Sequence, residues 1–242
     1  DPPRPPARLV FDATKGERSG GADWVIDTSG QFPSPSHPKL ETEWQGGISA
    51  WGVAIHQAGY DVEVLPGGGR ITFGDPSNQQ DLSRYDVYIV PEPNNPFTAT
   101  EATAMVEFVR AGGGLFVIAD HGKSDRDSDG WDSPRAWNDV FDRTGNPFGL
   151  SFAADNFTDS PDDNVLDDPA SKVLHGGFGD VRATTYYAGS SMRIDATKNA
   201  SVRALIWRRG AAHSGVNVTL ATAELGKGRV VAIGDSSPAD DG

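Results

Sequence analysis

Apolar positions along this chain follow two periods, one of strands and one of helices. Ala7-Arg8-Leu9-Val10-Phe11-Asp12 is a short apolar run closed by an acid, and it reads as a first strand. Trp44, Ile48, Trp51 and Ile55 are spaced i, i+4, i+7, i+11. That spacing predicts a helix face over residues 44–57, headed by Glu43 and stopped at Gly59. Residues 60–65 alternate as a strand. Residues 86–90 and 115–119 are near-continuous apolar runs, the kind buried on both faces of a parallel sheet. Between them Thr98 or Thr100 caps a helix presenting Ala104, Met105, Phe108 and Val109, which ends at Gly112-Gly113-Gly114. A short helix is expected near 135–141, and strands at 202–207, 216–221 and 228–234. Residues 13–42 and 146–200 carry no clear period and read as loop-rich.

Strands separated by helical segments imply right-handed parallel crossovers. The expected fold class is therefore α/β: a doubly wound, flavodoxin-like, mostly parallel sheet with long acidic loops. The runs 9–12, 87–90, 115–119 and 230–234 are expected to be parallel neighbours in it. One domain accounts for residues 1–242, with 1–6 as a proline-rich linker. Such a fold follows its last strand with a packing helix, so that helix is expected beyond residue 242.

Charge and composition narrow the function. A net charge of -13 repels phosphates and anionic lipids, so nucleic acid fits only as a substrate and a membrane not at all. It suits divalent cations, neutral polymers or a saline medium, and it also serves solubility alone. The absence of cysteine excludes disulfides, a thiol nucleophile and a cysteine-ligated zinc. No apolar run approaches the ~20 residues that span a bilayer. The opening Asp1-Pro2-Pro3-Arg4-Pro5-Pro6 reads as the start of a mature chain after a removed leader, which points to a secreted, bacterially exported protein.

The stretch Phe108-Val109-Arg110-Ala111-Gly112-Gly113-Gly114-Leu115-Phe116-Val117-Ile118-Ala119-Asp120-His121 resembles the helix, triple-glycine, strand and elbow core of the class I glutamine amidotransferase-like superfamily. It is most similar to the ThuA-like and GIFT-type branches. The strand 230–234 followed by Asp235 is similar to the last core strand of that superfamily. The resemblance covers residues 7–120 and 217–237 as architecture. It implies a site at the strand ends. Asp120 stands where true amidotransferases carry their elbow cysteine, so their reaction is not implied.

Three local patterns carry candidate chemistry. Asp125, Asp127 and Asp129 alternate and are closed by Gly130, like the first half of a calcium loop. The glutamate of an EF-hand is replaced by Ala136, and Asp132 or Asp139 would have to substitute. The other reading is a solvated acidic turn. Asp120-His121 follows a buried strand, where His121 can act as general base or metal ligand. Asp235-Ser236 ends a second core strand. Asp120 and Asp235 together could bind a hard cation. A Ser236–His121–aspartate triad lacks its G-x-S-x-G elbow. Asp12, Lys15 and Glu17 follow the first strand and read more readily as surface groups. Trp24, Trp44, Trp131 and Trp137 flank the acidic loops, either to stack on sugars or to close loops over the core.

Two functions follow. One is a secreted hydrolase dependent on a divalent cation, calcium by the loop pattern. It would cleave phosphodiester or glycosidic bonds in a polymeric or small polar substrate, with Asp120, His121, Asp235 and Ser236 at its catalytic edge. The other is a non-catalytic, calcium-stabilised module that binds carbohydrate or another ligand.

Overall fold

The computed structural model describes residues 6–28 and 44–239. Along the chain come β1 (Arg8–Asp12), α1 (Ser49–Gln57), β2 (Asp61–Leu65), β3 (Val87–Pro91), α2 (Ala99–Ala111), β4 (Gly114–Ile118) and α3 (Ser133–Arg143). Then follow β5 (Leu150–Phe152), β6 (Phe157–Asp162), β7 (His175–Gly176), β8 (Gly179–Asp180), β9 (Thr184–Gly189), β10 (Met192–Ile194), β11 (Arg203–Trp207), β12 (Val218–Leu225) and β13 (Gly228–Ile233).

The main sheet is mixed and mostly parallel, with few helices around it. Strands β2-β1-β3-β4-β13 run parallel in that order. The four runs expected side by side are therefore adjacent and parallel. Beyond β13 the sheet continues antiparallel through β12, β10 and β5, and β11 also pairs with β12.

Successive strand residues point to opposite faces, and both faces of the parallel half are apolar. Val10, Val90 and Val117 pack under α2 and α3. Leu9, Phe11, Ile89 and Ile118 pack under α1. Helix α2 begins in a capping box: the Thr98 hydroxyl accepts from the Glu101 amide, and the Glu101 carboxylate accepts from the Thr98 amide. Asp132 caps α3, and Pro134 sits in its first turn.

The structure corrects two sequence expectations. The first helix begins at Ser49, so Trp44 and Ile48 precede it, although both are buried. A Cβ on Gly46 would lie 1.8 Å from the Val25 carbonyl oxygen, and one on Gly47 2.6 Å from that of Asp23. That close approach bends the chain and delays the helix. Residues 146–200 carry six strands rather than loops. These strands are short, rich in Asp, Gly and Ser, and mostly exposed or half-exposed, so they show no apolar period. Residues 1–5, Glu43 and the expected C-terminal helix lie outside the described residues.

Trp137 ties α3 to the sheet just below the acidic edge. It is fully buried, stacks on Phe141, lies 5.3 Å from the Phe97 ring, and donates its indole N–H to the Ile118 carbonyl at 3.0 Å. Trp137→Ala leaves a cavity and an unpaired carbonyl. It should cost about 3–5 kcal/mol in urea denaturation. A loss below ~1 kcal/mol would show that this packing does not hold the edge in place.

Candidate functional site

Each of the four central parallel strands is followed at its carboxyl end by a buried acid. Asp12 closes β1, Glu92 follows β3, Asp120 follows β4 and Asp235 follows β13, all between 0% and 4% exposed. That edge of a parallel sheet is where open α/β folds bind ligands.

Two of these acids, Glu92 and Asp120, form one network around Arg126. The Arg126 Nε donates to Glu92 Oε1 at 2.8 Å, and its Nη2 reaches the same oxygen at 2.6 Å and Asp120 Oδ2 at 3.2 Å. The Ser236 hydroxyl donates to Glu92 Oε2 at 2.9 Å. Burial, and then the neighbouring Asp120 charge, push Glu92 well above the usual carboxylate range against the pull of Arg126. Burial likewise raises Asp235 to about 6, with the Asp120 charge adding to it, although amides of Ser237 and Tyr187 donate to its carboxylate. Glu92 itself has φ of 43°, a left-handed backbone that is uncommon outside glycine and typical of constrained sites.

His121 is the outlet of this network. Its Nδ1 lies 3.0 Å from Asp120 Oδ1, and its side chain is 26% exposed against 5% for Asp120. The Asp120 amide is fixed in turn by the Ser133 hydroxyl on α3, at 2.7 Å. With Nδ1–H given to Asp120, Nε2 is the nitrogen left to accept a proton. Ser236 is engaged with Glu92 rather than His121, so the structure gives the Ser236–His121 triad no support.

The edge is assembled by close backbone approaches. A Cβ on Gly234 would lie 1.9 Å from the Ser190 carbonyl oxygen, and one on Gly122 2.0 Å from that of Ala154. These contacts bring the end of β9 against Asp235. The Tyr187 amide consequently donates to Asp235, and the Tyr187 side chain is exposed.

Asp12, Lys15 and Glu17 are buried, contrary to the surface expectation, at 0%, 8% and 1% exposure. Lys15 is neutralised by Glu101 at 2.7 Å and lies over the Phe97 ring. Burial raises Asp12, and raises Glu17 well above its usual range with the Asp12 charge adding to it. The segment reaches Arg126 through Asn94. The Asn94 amide donates to the Lys15 carbonyl, and its side-chain oxygen accepts from the Arg126 amide at 3.4 Å.

Asp125, Asp127 and Asp129 converge, with one oxygen of each within 4.8 Å of the others. Backbone amides of Asp129, Gly130 and Trp131 donate to them, and the Asn95 side-chain Nδ2 donates to Asp127 at 2.9 Å and Asp129 at 3.3 Å. Asp132 and Asp139 do not join. Asp132 accepts from Arg135 and Lys123, and Asp139 pairs with Arg143. The set is all oxygen, which suits a hard cation. Asp120 and Asp235 are placed differently, since Arg126, His121 and backbone amides already occupy their oxygens.

Sequence reading brought Asp120, His121, Asp235 and Ser236 to this edge but missed Glu92 and Arg126. Glu92 follows an apolar strand as Asp120 and Asp235 do, so the same rule could have found it; flanking prolines made it read as loop. Arg126 had no such signal. Of the four tryptophans considered, Trp44 and Trp137 are core residues, whereas Trp24 and Trp131 are half-buried, Trp131 under the Arg135 guanidinium at 4.3 Å.

Among solved structures, the chain is similar to one described as "mmIFT52 N-terminal domain", with TM-score 0.59 and 14% identity over 96% of this chain and 88% of that one. It is similar to Cytoplasmic Protein STM1381 from Salmonella typhimurium LT2, with TM-score 0.55 and 13% identity over 94% and 87%. It is also similar to the cold-adapted β-galactosidase from Rahnella sp. R3, with TM-score 0.53 and 16% identity over 98% of this chain but 30% of that one. At these identities the likeness concerns the fold alone. No curated protein sequence matches the chain. The family described as "Domain of unknown function (DUF4350)" matches residues 42–239, and the chain belongs to that family.

Proposed function

We propose that the carboxyl edge of the sheet is the site of a secreted, divalent-cation-dependent hydrolase acting on a polar polymer. The observation that carries this reading is the Asp120–His121 pair, held at Nδ1 and open to solvent on the imidazole. Asp120 orients the ring, and Nε2 takes a proton from an attacking water. Arg126 and Glu92 hold Asp120 in place. The exposed ring of Tyr187, a residue whose amide holds Asp235, suits stacking on a sugar, so a glycosidic bond is favoured over a phosphodiester.

The parallel order β2-β1-β3-β4-β13 supports a flavodoxin-like, doubly wound half and the class I amidotransferase-like resemblance, with Asp120 in the elbow position. Calcium would bind at Asp125, Asp127 and Asp129, where it supplies positive charge to the loop that carries Arg126. A second reading, a calcium-stabilised carbohydrate-binding module, is favoured by one feature: Asp120, Glu92 and Asp235 are nearly closed to solvent while Tyr187 is 71% exposed.

Turnover of a panel of aryl glycosides, with an aryl phosphodiester as comparison, should fall about 10²–10⁴-fold in His121→Ala with the circular dichroism unchanged. Equal turnover in that variant would remove His121 from the chemistry. Binding of oligosaccharide without any turnover, lost in Tyr187→Ala, would establish the binding module instead.

Calorimetric titration of chelator-stripped protein with calcium should show one site, weakened about tenfold or more in Asp127→Ala, because each carboxylate adds to affinity. Heat unchanged by the substitution would place any bound ion elsewhere.

The site should also be legible in the pH dependence of stability. Asp235 titrates near 6 when folded and near 3.8 otherwise, so the native state binds its proton more readily. Stability from this group is present below about 4 and is lost as pH rises through 6, by about 2–3 kcal/mol at most. Asp235→Asn should therefore gain stability relative to the native chain between those pH values. A difference in melting temperature that stays constant from pH 4 to 7 would refute the assignment.

A further inference from the structure

We propose that the buried Asp12–Glu17 pair is a proton-held latch. One proton shared by the two carboxyl groups keeps the turn after β1 against the loop of Arg126. Its loss frees that turn and loosens the acidic edge. Asp12 closes β1, and the Glu17 carboxyl lies within hydrogen-bond reach of it, both of them buried. Each group is already engaged elsewhere. The Thr14 hydroxyl donates to Asp12 at 3.0 Å, and the Lys15 amide donates to Glu17 Oε2 at 2.7 Å. The remaining Glu17 oxygen, Oε1, is buried and has no donor among the described residues. The Lys15 charge reaches Asp12 only partly, because its ammonium is held by Glu101 of α2. Two buried carboxylates in contact cannot both stay charged, so they share a proton. Around the pair, Tyr88 of β3 stands beside Asp12. Arg18 and Asp27 line the same hollow as Glu17, with Arg18 paired to Asp23.

The turn is joined to the edge by contacts that follow one another. The Lys15 carbonyl accepts from the amides of Asn94 and Asn95 at 2.7 and 2.9 Å. The Asn94 side-chain oxygen in turn accepts from the Arg126 amide. The packing leaves no clearance: a Cβ on Gly16 would lie 2.7 Å from Asn95 Oδ1, and one on Gly20 2.3 Å from the Arg126 carbonyl oxygen. Glu17 holds the Lys15 amide, so a displaced Glu17 moves the carbonyl on which Asn94 and Asn95 rest. Packed contacts of this kind switch between discrete arrangements rather than deform smoothly. Burial raises Glu17 well above its usual range, with the Asp12 charge adding to it, so the folded chain binds the proton more tightly than the unfolded one. The stability this contributes is present at low pH and is lost as pH rises through the folded value. The consequence for turnover rests on the hydrolase reading of the edge, whereas the latch itself does not.

Amide hydrogen exchange of the full chain, from about pH 5 to about pH 9 and read as protection factors, tests the latch without substrate. In the native chain protection at Asn94 and Asn95 should fall about tenfold or more as pH rises, while the amides of β4 keep theirs. Glu17→Gln offers Asp12 an N–H that does not titrate, so it should abolish the fall. Asp12→Asn removes the repulsion from the other side and should do the same, with circular dichroism unchanged in both. Protection at Asn94 and Asn95 that stays constant with pH in the native chain overturns the proposal. A fall of native size in both variants, or one shared by the β4 amides, overturns it as well. A latch seen by exchange in a chain without turnover at any pH supports the proposal and counts against the hydrolase reading alone.

Discussion

Arg126 is the cation around which the acidic edge is built. Glu92 and Asp120 lie side by side with almost no contact with water, and two such carboxylates cannot both stay charged there without a partner. One guanidinium reaches both, and its planar fork makes that possible where a lysine ammonium would not. The raised Glu92 shows that one positive charge does not fully compensate. The remaining contacts of the site follow from this bridge. Asp120 turns its other oxygen to His121, Ser236 turns its hydroxyl to Glu92, and Asn94 binds the Arg126 backbone.

The parallel strands set where that bridge can stand. β1, β3, β4 and β13 all end on one edge, so acids that follow them arrive at one line without any turn dedicated to bringing them there. The antiparallel strands do different work. The excursion through β6 and β9 returns against Asp235 at Gly189 and Gly234, where a Cβ on either would collide with the neighbouring chain. The Tyr187 amide is thereby set against Asp235. The same excursion, through Val173, Phe178 and Val181, lines one side of an open groove over β3, β4 and β13. One insertion thus shapes both the polar edge and the open sheet face.

Stability and chemistry pull against each other at this edge. Burial that lifts Asp235 and Glu92 disfavours their charged forms, so the folded chain carries them at a cost in neutral solution. A core of stacked aromatics directly beneath, in which Trp137 adjoins Phe97 and Phe141, offsets that cost and fixes the backbone that presents Asp120. Groups held in unfavourable protonation states on a rigid support are what a preorganised site requires.

The sequence by itself determined the parallel core. Its apolar runs, the Thr98–Glu101 cap, the glycines after α2 and the acids closing β1, β4 and β13 are local signals, written within a few residues. Only the tertiary structure decided which acids meet a cation and which are buried. Arg126 lies 34 residues from Glu92, and Ser236 lies 144 residues from it, so no local pattern announces either contact. Asp12, Lys15 and Glu17 look like surface groups in the chain and are buried in the fold, where the amides of Asn94 and Asn95, about eighty residues on, both donate to the Lys15 carbonyl. The late start of α1 was hidden for the same reason: the approach of Gly46 to Val25 is a contact between distant backbones, while a helical period reports only neighbours. Desolvation and close approach belong to the folded chain as a whole, and they are what turned a row of acids into a connected site.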